Sequence, residues 1–172
     1  MKKMFIFIFC VVTLKSAAME TITFPSKDGI TITGDLYISN DSLPYMLLCH
    51  QAGYSRGEYK ETAKRFNKLG YNCLAIDQRS GGEINGIINQ TNAEAKKAGK
   101  GTDYLDAEQD IVAALDYLYK KSGKEVVLVG SSYSASLVLK IAVGNPKVSR
   151  VLAFSPGEYF GKKMTLKKEI EL

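Results

Sequence analysis

Apolar residues fall in two rhythms along the chain. Thr21-Ile22-Thr23-Phe24 and Ile30-Thr31-Ile32-Thr33-Gly34-Asp35-Leu36-Tyr37 alternate with period two, and Lys27-Asp28-Gly29 lies between them. That pattern predicts an antiparallel hairpin, half buried, over 20–38. From Tyr45 onward the alternation gives way to unbroken apolar runs at Tyr45–Cys49, Tyr71–Ile76, Val126–Val129 and Val148–Phe154. Runs of this kind mark strands covered on both faces. Helix-period segments separate them. Tyr59, Ala63, Phe66 and Leu69 share a face in one, which Gly70 ends as a C-cap. Ile111, Ala114, Leu115 and Leu118 form the stripe of a second, capped by Asp103 and stopped near Gly123. Leu137, Val138, Ile141 and Ala142 line a third, broken by Asn145-Pro146.

Residues 83–101 are polar, with only Ile84, Ile87 and Ile88 as apolar positions, and predict a long loop: either a lid or pocket wall, or a surface excursion. There is no internal repeat and no linker. The expected fold is α/β: a three-layer α/β/α sandwich with a mostly parallel sheet that starts with an antiparallel hairpin.

The stretch Glu125–Val143 carries the first chemistry. An apolar strand runs directly into Gly130-Ser131-Ser132-Tyr133-Ser134 and then into the third helix. Strand, small-residue turn, helix is the setting a G-x-S-x-G nucleophile elbow requires, with Ser132 raised on a strained turn. The positions two before and two after it must be small, because strand and helix backbones nearly touch there. Gly130 meets that demand fully and Ser134 approximately.

Composition changes this picture at the N-terminus. Lys2 and Lys3 precede the apolar run Met4–Leu14, followed by Lys15-Ser16-Ala17-Ala18-Met19. A charged start, a short apolar centre and small residues describe a secretory signal peptide over 1–19, cleaved near Ala18 or Met19. The run is about half of the roughly 20 apolar residues a membrane span needs, so no stable membrane insertion is expected after cleavage. Cys10 lacks the preceding small residue of a lipoprotein signal. Removing Lys2, Lys3 and Lys15 leaves 20 basic against 18 acidic residues, from a formal charge of +5 for all 172. That balance gives no reason to expect a nucleic-acid partner. The expected domain, 20–172, keeps Cys49 and Cys73. Export permits a disulfide between them, but both lie in apolar strands and are expected to be buried thiols.

Three features fall at the ends of successive parallel strands: His50-Gln51-Ala52-Gly53, Asp77-x-Arg79-x-Gly81-Gly82 and Gly130-x-Ser132-x-Ser134. Ligand sites of open α/β sheets gather there. Their order and spacing resemble the α/β-hydrolase superfamily, closest to dienelactone-hydrolase-like serine hydrolases. Gln51 replaces the first Gly of that group's H-G-x-x-G loop, and Ser80 the first Gly of its D-x-R-G-x-G turn. The resemblance implies the N-terminal two-thirds of the α/β-hydrolase fold and a small-molecule ester or related acyl substrate. It implies no cofactor and no metal. Ser132 becomes the nucleophile, forming an acyl-enzyme. The N–H groups of Tyr133 and Ala52 become the oxyanion donors, Gln51 being the less favoured neighbour. The other polar residues take structural roles. His50 shapes the oxyanion loop. Asp77 fixes its loop, and Arg79 pairs with Asp77 or with backbone carbonyls. Tyr45, Tyr54 and Tyr104 pack or line a rim, and Glu58 and Glu61 are solvated.

The superfamily's acid and base come late, in the order Ser, Asp or Glu, His. Only eighteen residues follow the strand Val148–Phe154, none of them histidine, and Glu158 is the one good candidate acid. A serine hydroxyl without a general base is a poor nucleophile, so no significant esterase activity is expected of the chain as it stands. Three readings account for this: an N-terminal fragment lacking its final strands, a degenerate homologue that binds ligand in the same cleft without turnover, or a chain completed by another. The closing KKMTLKKEIEL, without strand alternation, favours the first.

Overall fold

A computed structural model describes residues 18–171; the expected signal peptide lies almost wholly outside them. The hairpin forms as expected from β1 (Ala18–Pro25) and β2 (Thr31–Ile38), turning through Lys27–Gly29. β1 starts at Ala18, whose backbone pairs with Ile38, so the strand reaches into the expected cleavage region.

The remaining large strands are β3 (Tyr45–Cys49), β4 (Asn72–Ile76), β7 (Val126–Ser131) and β8 (Val148–Phe154). The six-stranded sheet runs β1-β2-β4-β3-β7-β8, with β1, β2 and β4 antiparallel neighbours and every later pairing parallel. Side chains alternate between its faces. Met46, Leu48, Cys73, Ala75, Val127 and Val129 meet Tyr59 and Ala63 of the segment around α1 (Lys60–Lys68). Leu47, Cys49, Leu74, Ile76 and Leu128 face the other layer. That layer is α3 (Glu108–Ser122), α4 (Tyr133–Ala142) and the short α5 (Leu166–Ile170). Cys49 and Cys73 therefore lie on opposite faces as buried free thiols, and burial pushes Cys73 up to about 12.

Four expectations are corrected. Residues 83–101 are not a loop. Glu83–Ile84 (β5) and Ile87–Ile88 (β6) form a hairpin, and Gln90–Lys97 form α2. Asn85 and Gly86 both take positive φ, as a two-residue hairpin turn requires. α2 is capped by Asn89, which accepts from Asn92 N–H at 2.8 Å, and its Thr91 hydroxyl accepts from Thr33 N–H of β2 at 3.0 Å. The segment is thus folded and tied to β2 rather than a loose excursion.

β8 is not covered on both faces. It is the sheet edge, with Leu152 37% and Phe154 57% exposed. Leu69 lies outside the buried face of its helix. Asn67 occupies the buried position instead, donating to the carbonyls of Tyr37 and Tyr71 at 3.2 and 2.7 Å. Asp103 does not cap α3. Its carboxylate pairs with Lys163 at 3.0 Å, while its backbone N–H donates to Asp106. The expected stripe Ile111, Ala114, Leu115 and Leu118 is buried, and Gly123 ends α3 with φ 65°. Among the described residues no helix is long and apolar enough to cross a membrane.

Candidate active site at the strand ends

Ser132 stands between β7 and α4 with φ 58° and ψ −126°, a region L-residues rarely occupy. Holding a serine there costs roughly 1–3 kcal/mol and persists only where the surroundings over-determine it. Here they do. Ser132 N–H donates to Phe154 O of the neighbouring strand at 2.9 Å, and Ser132 O accepts from Ala135 N–H at 3.0 Å.

The flanking small residues have distinct reasons. A Cβ on Gly130 would lie 2.6 Å from Ser134 O and 2.7 Å from Ala135 N, so strand and helix touch there and only glycine fits. Ser134 is accommodated because its hydroxyl has work to do. It accepts from Ser131 N–H at 2.9 Å and lies 2.8 Å from Cys49 O, binding the elbow to the end of β3. Ser132 directly precedes α4, so it stands at the helix N-terminus, where negative charge is favoured.

The loop after β3 carries Ala52. Its neighbour Gln51 donates its N–H to Glu58 Oε2 at 2.8 Å. Glu58 is thus not simply solvated: it is partly enclosed, and burial raises its carboxyl above the ordinary range against the pull of that N–H. Gln51 N–H is therefore already engaged within its own loop.

His50 is fully buried and has both nitrogens engaged. Nδ1–H donates to Gln51 O at 2.8 Å, and Nε2 accepts from Gln78 N–H at 2.9 Å, with Asn89 Nδ2 at 3.3 Å. The ring is therefore the neutral Nδ1–H tautomer, pinning the Ala52 loop to the 77–82 turn. Burial lowers its pKa to about 4. The unfolded chain takes up this proton near the ordinary 6.5, so between about 6.5 and 4 the unfolded state binds more protons and stability falls as pH falls. Because His50 is the chain's only histidine, a single imidazole resonance reports it. Its midpoint is expected near 4; a midpoint near 6.5 would contradict the geometry.

The 77–82 turn is built on two ion networks, and the expected Arg79–Asp77 pair is not among them. Asp77 accepts from Arg56 N–H, Arg56 Nη1 and Gln90 N–H at 2.8, 2.7 and 2.8 Å. It fixes its loop as expected, with Arg56 as its cation. Arg79, 1% exposed, instead binds Asp110 of α3 and Asp28 of the β1–β2 turn. Its hydrogen bonds hold Asp28 well below the carboxylate range; burial raises Asp110 against the same guanidinium. Above this turn, the buried Tyr133 hydroxyl accepts from Gln78 Nε2 and Ser80 Oγ at 2.7 and 2.5 Å, while the Tyr133 ring stacks on Tyr104. Ser80 stands where the related turn has glycine and ties that turn to the elbow helix.

Glu158, the candidate acid, is engaged with backbone N–H groups. Its two oxygens accept from Leu166 N–H and Lys167 N–H at 2.7 and 3.1 Å, capping α5. Among the described residues no side chain accepts a hydrogen bond from the Ser132 hydroxyl.

No family model matches the sequence, and no curated protein does. Solved structures do match. An esterase from Pyrococcus furiosus superposes with a TM-score of 0.64 at 20% identity, covering 85% of this chain and 55% of the esterase. An α/β hydrolase from a Penicillium species gives 0.63 at 18% identity, covering 81% and 46%. A thermostable carboxyl esterase from Bacillus coagulans gives 0.60 at 15%, covering 79% and 44%. The chain spans about half the length of these structures, and over that span it has the α/β-hydrolase fold.

Proposed function

We propose that this chain carries the nucleophile half of an esterase site. Ser132 Oγ attacks the carbonyl of a small ester, and the ester C–O bond breaks. The alcohol leaves with the hydroxyl proton, and water later frees the acyl group from the serine. The backbone N–H groups of Tyr133 and Ala52 receive the oxyanion. The observation that carries this reading is the strained backbone of Ser132 at a strand–helix junction, beside a helix N-terminus. The order of the three strand-end motifs supports a dienelactone-hydrolase-like ancestry, and the esterases of similar fold support the ester chemistry. His50 is committed to the loop on both nitrogens, so it does not serve as base. A positioned general base contributes roughly 10²–10⁴-fold, and without one the hydroxyl reacts slowly.

Imidazole supplied in solution tests the site directly. With p-nitrophenyl acetate the protein alone is expected to give no turnover above buffer. Added imidazole is expected to raise the rate above imidazole alone, and Ser132→Ala to return it to that background. Absence of any Ser132-dependent rate at every imidazole concentration would sink the proposal. Saturable ester binding left intact by Ser132→Ala, without turnover, would instead identify a non-catalytic binding protein using the same cleft.

A further inference from the structure

A cavity of about 260 Å³ opens between the segment preceding α3 and the segment following β8. Its walls include Tyr104, Tyr159 and Phe160, with Lys163 and Asp103 at the rim. Both walls are tied to the start of the elbow helix. Tyr104 stacks on Tyr133, the residue after Ser132, with ring centroids 4.5 Å apart. On the other side the Ser136 hydroxyl, one turn along α4, exchanges hydrogen bonds with Gly157 N–H and O at 3.0 and 2.8 Å. Phe154 O holds Ser132 N–H just upstream.

Tyr159 is oriented rather than free. Its hydroxyl donates to Ser155 O at 2.9 Å, and its ring lies against Gly157, where an added Cβ would come within 3.1 Å of it. Tyr104 and Tyr159 nevertheless keep 38% and 40% of their surface exposed, and both line the cavity. The rim charges, Lys163 and Asp103, are paired at 3.0 Å and offset each other. The space exceeds the roughly 150 Å³ that accommodates benzene in a protein core. It falls below the roughly 300–1,000 Å³ of drug-sized sites.

We infer that this cavity seats one uncharged aromatic ring of the ester attacked by Ser132, making aryl esters the substrate class; the inference rests on the esterase reading. Ring contacts with Tyr104 and Tyr159 favour an aromatic ligand over a saturated one of equal size. The ring belongs to either the acyl or the alcohol side, and methyl benzoate and phenyl acetate separate the two.

Binding is read from tyrosine ring resonances, with methyl cyclohexanecarboxylate as the saturated comparison. At least one aryl ester is expected to bind about two- to tenfold tighter than the cyclohexyl ester, the range aromatic contacts supply. Tyr159→Leu, at an exposed position, and Tyr104→Leu are each expected to erase that preference, while Ser132→Ala leaves it intact. Equal binding of the cyclohexyl ester, or an unchanged preference in Tyr159→Leu, overturns the inference. Its failure is distinguishable from that of the esterase reading. Ser132-dependent, imidazole-supported turnover without ring preference removes the cavity's role alone. Ring-selective binding without such turnover upholds the cavity and removes the esterase.

Discussion

Arg79→Met is expected to lower folding stability by about 3–5 kcal/mol, the cost of leaving a buried charge without its partner. The guanidinium donates from Nε to both oxygens of Asp110 at 3.0 and 3.1 Å, and from Nη2 to Asp110 Oδ1 at 2.7 Å. It reaches Asp28 through Nη1 and Nη2 at 2.8 and 3.0 Å. Asp110 has no exposed surface, so methionine leaves a carboxylate that water cannot reach. The residual backbone bond from Arg79 N–H at 2.8 Å does not neutralise it. Urea midpoints measure the loss, and the size is large against the 5–15 kcal/mol that small domains have. The double variant Arg79→Met, Asp110→Leu is expected to recover part of it, since no buried charge then remains unpaired. Lys163→Met, which removes an exposed ion pair, serves as a control with no measurable change. A loss below about 1 kcal/mol in Arg79→Met would show that the network does not hold the fold together.

Arg79 also shows where pattern reading stops. Apolar rhythm located the parallel strands and three of the helices, because burial on one or two faces imposes period 3.6 or continuous runs. It also placed Ser132, since a strand ending in Gly130 and followed by an apolar helix leaves one sharp turn between them. Polar partners obey no such rhythm. Asp110 is 31 residues from Arg79 and Asp28 is 51, so the chain folds them together only through the packing of α3 and the first hairpin. Asp77, two residues away, looked the nearer partner but bonds Arg56, which follows the loop after β3.

β8 failed for a related reason. An apolar run identifies a strand, but which of its faces is covered depends on what packs beside it, and one face of β8 is open. The 83–88 hairpin had a legible signal in Asn85-Gly86 between isoleucines, the strongest short hairpin cue. α2 had little, with Ala95 its one buried apolar side chain and the others, Thr91 and Asn92, polar. Its place is set by Asn89 and Asp77, which supply its cap and its first N–H partner.

Gly81→Ala is expected to damage both fold and site. A Cβ there would collide with Tyr54 O and Asn89 Nδ2 and lie 2.6 Å from His50 Cε1. The first contact is with backbone, which cannot swing aside, so the cost is expected to exceed the roughly 1–3 kcal/mol of ordinary overpacking. Relief requires the turn at 77–82 to separate from the loop at 50–54. That separation breaks Gly82 N–H to Tyr54 O at 2.8 Å and Gln78 N–H to His50 Nε2 at 2.9 Å. Ala52 rides on the same loop, so its N–H moves away from the oxygen it is proposed to receive. Loss of one oxyanion donor costs roughly 10²–10³ in rate. The Ser132-dependent rate with imidazole is accordingly expected to fall about a hundredfold at a temperature where the variant is still folded by circular dichroism. The imidazole resonance of His50 is expected to titrate closer to 6.5 as its ring opens to water. A Gly81→Ala protein with unchanged melting, unchanged rate and a His50 midpoint still near 4 would mean that the two loops are not pressed together through this glycine.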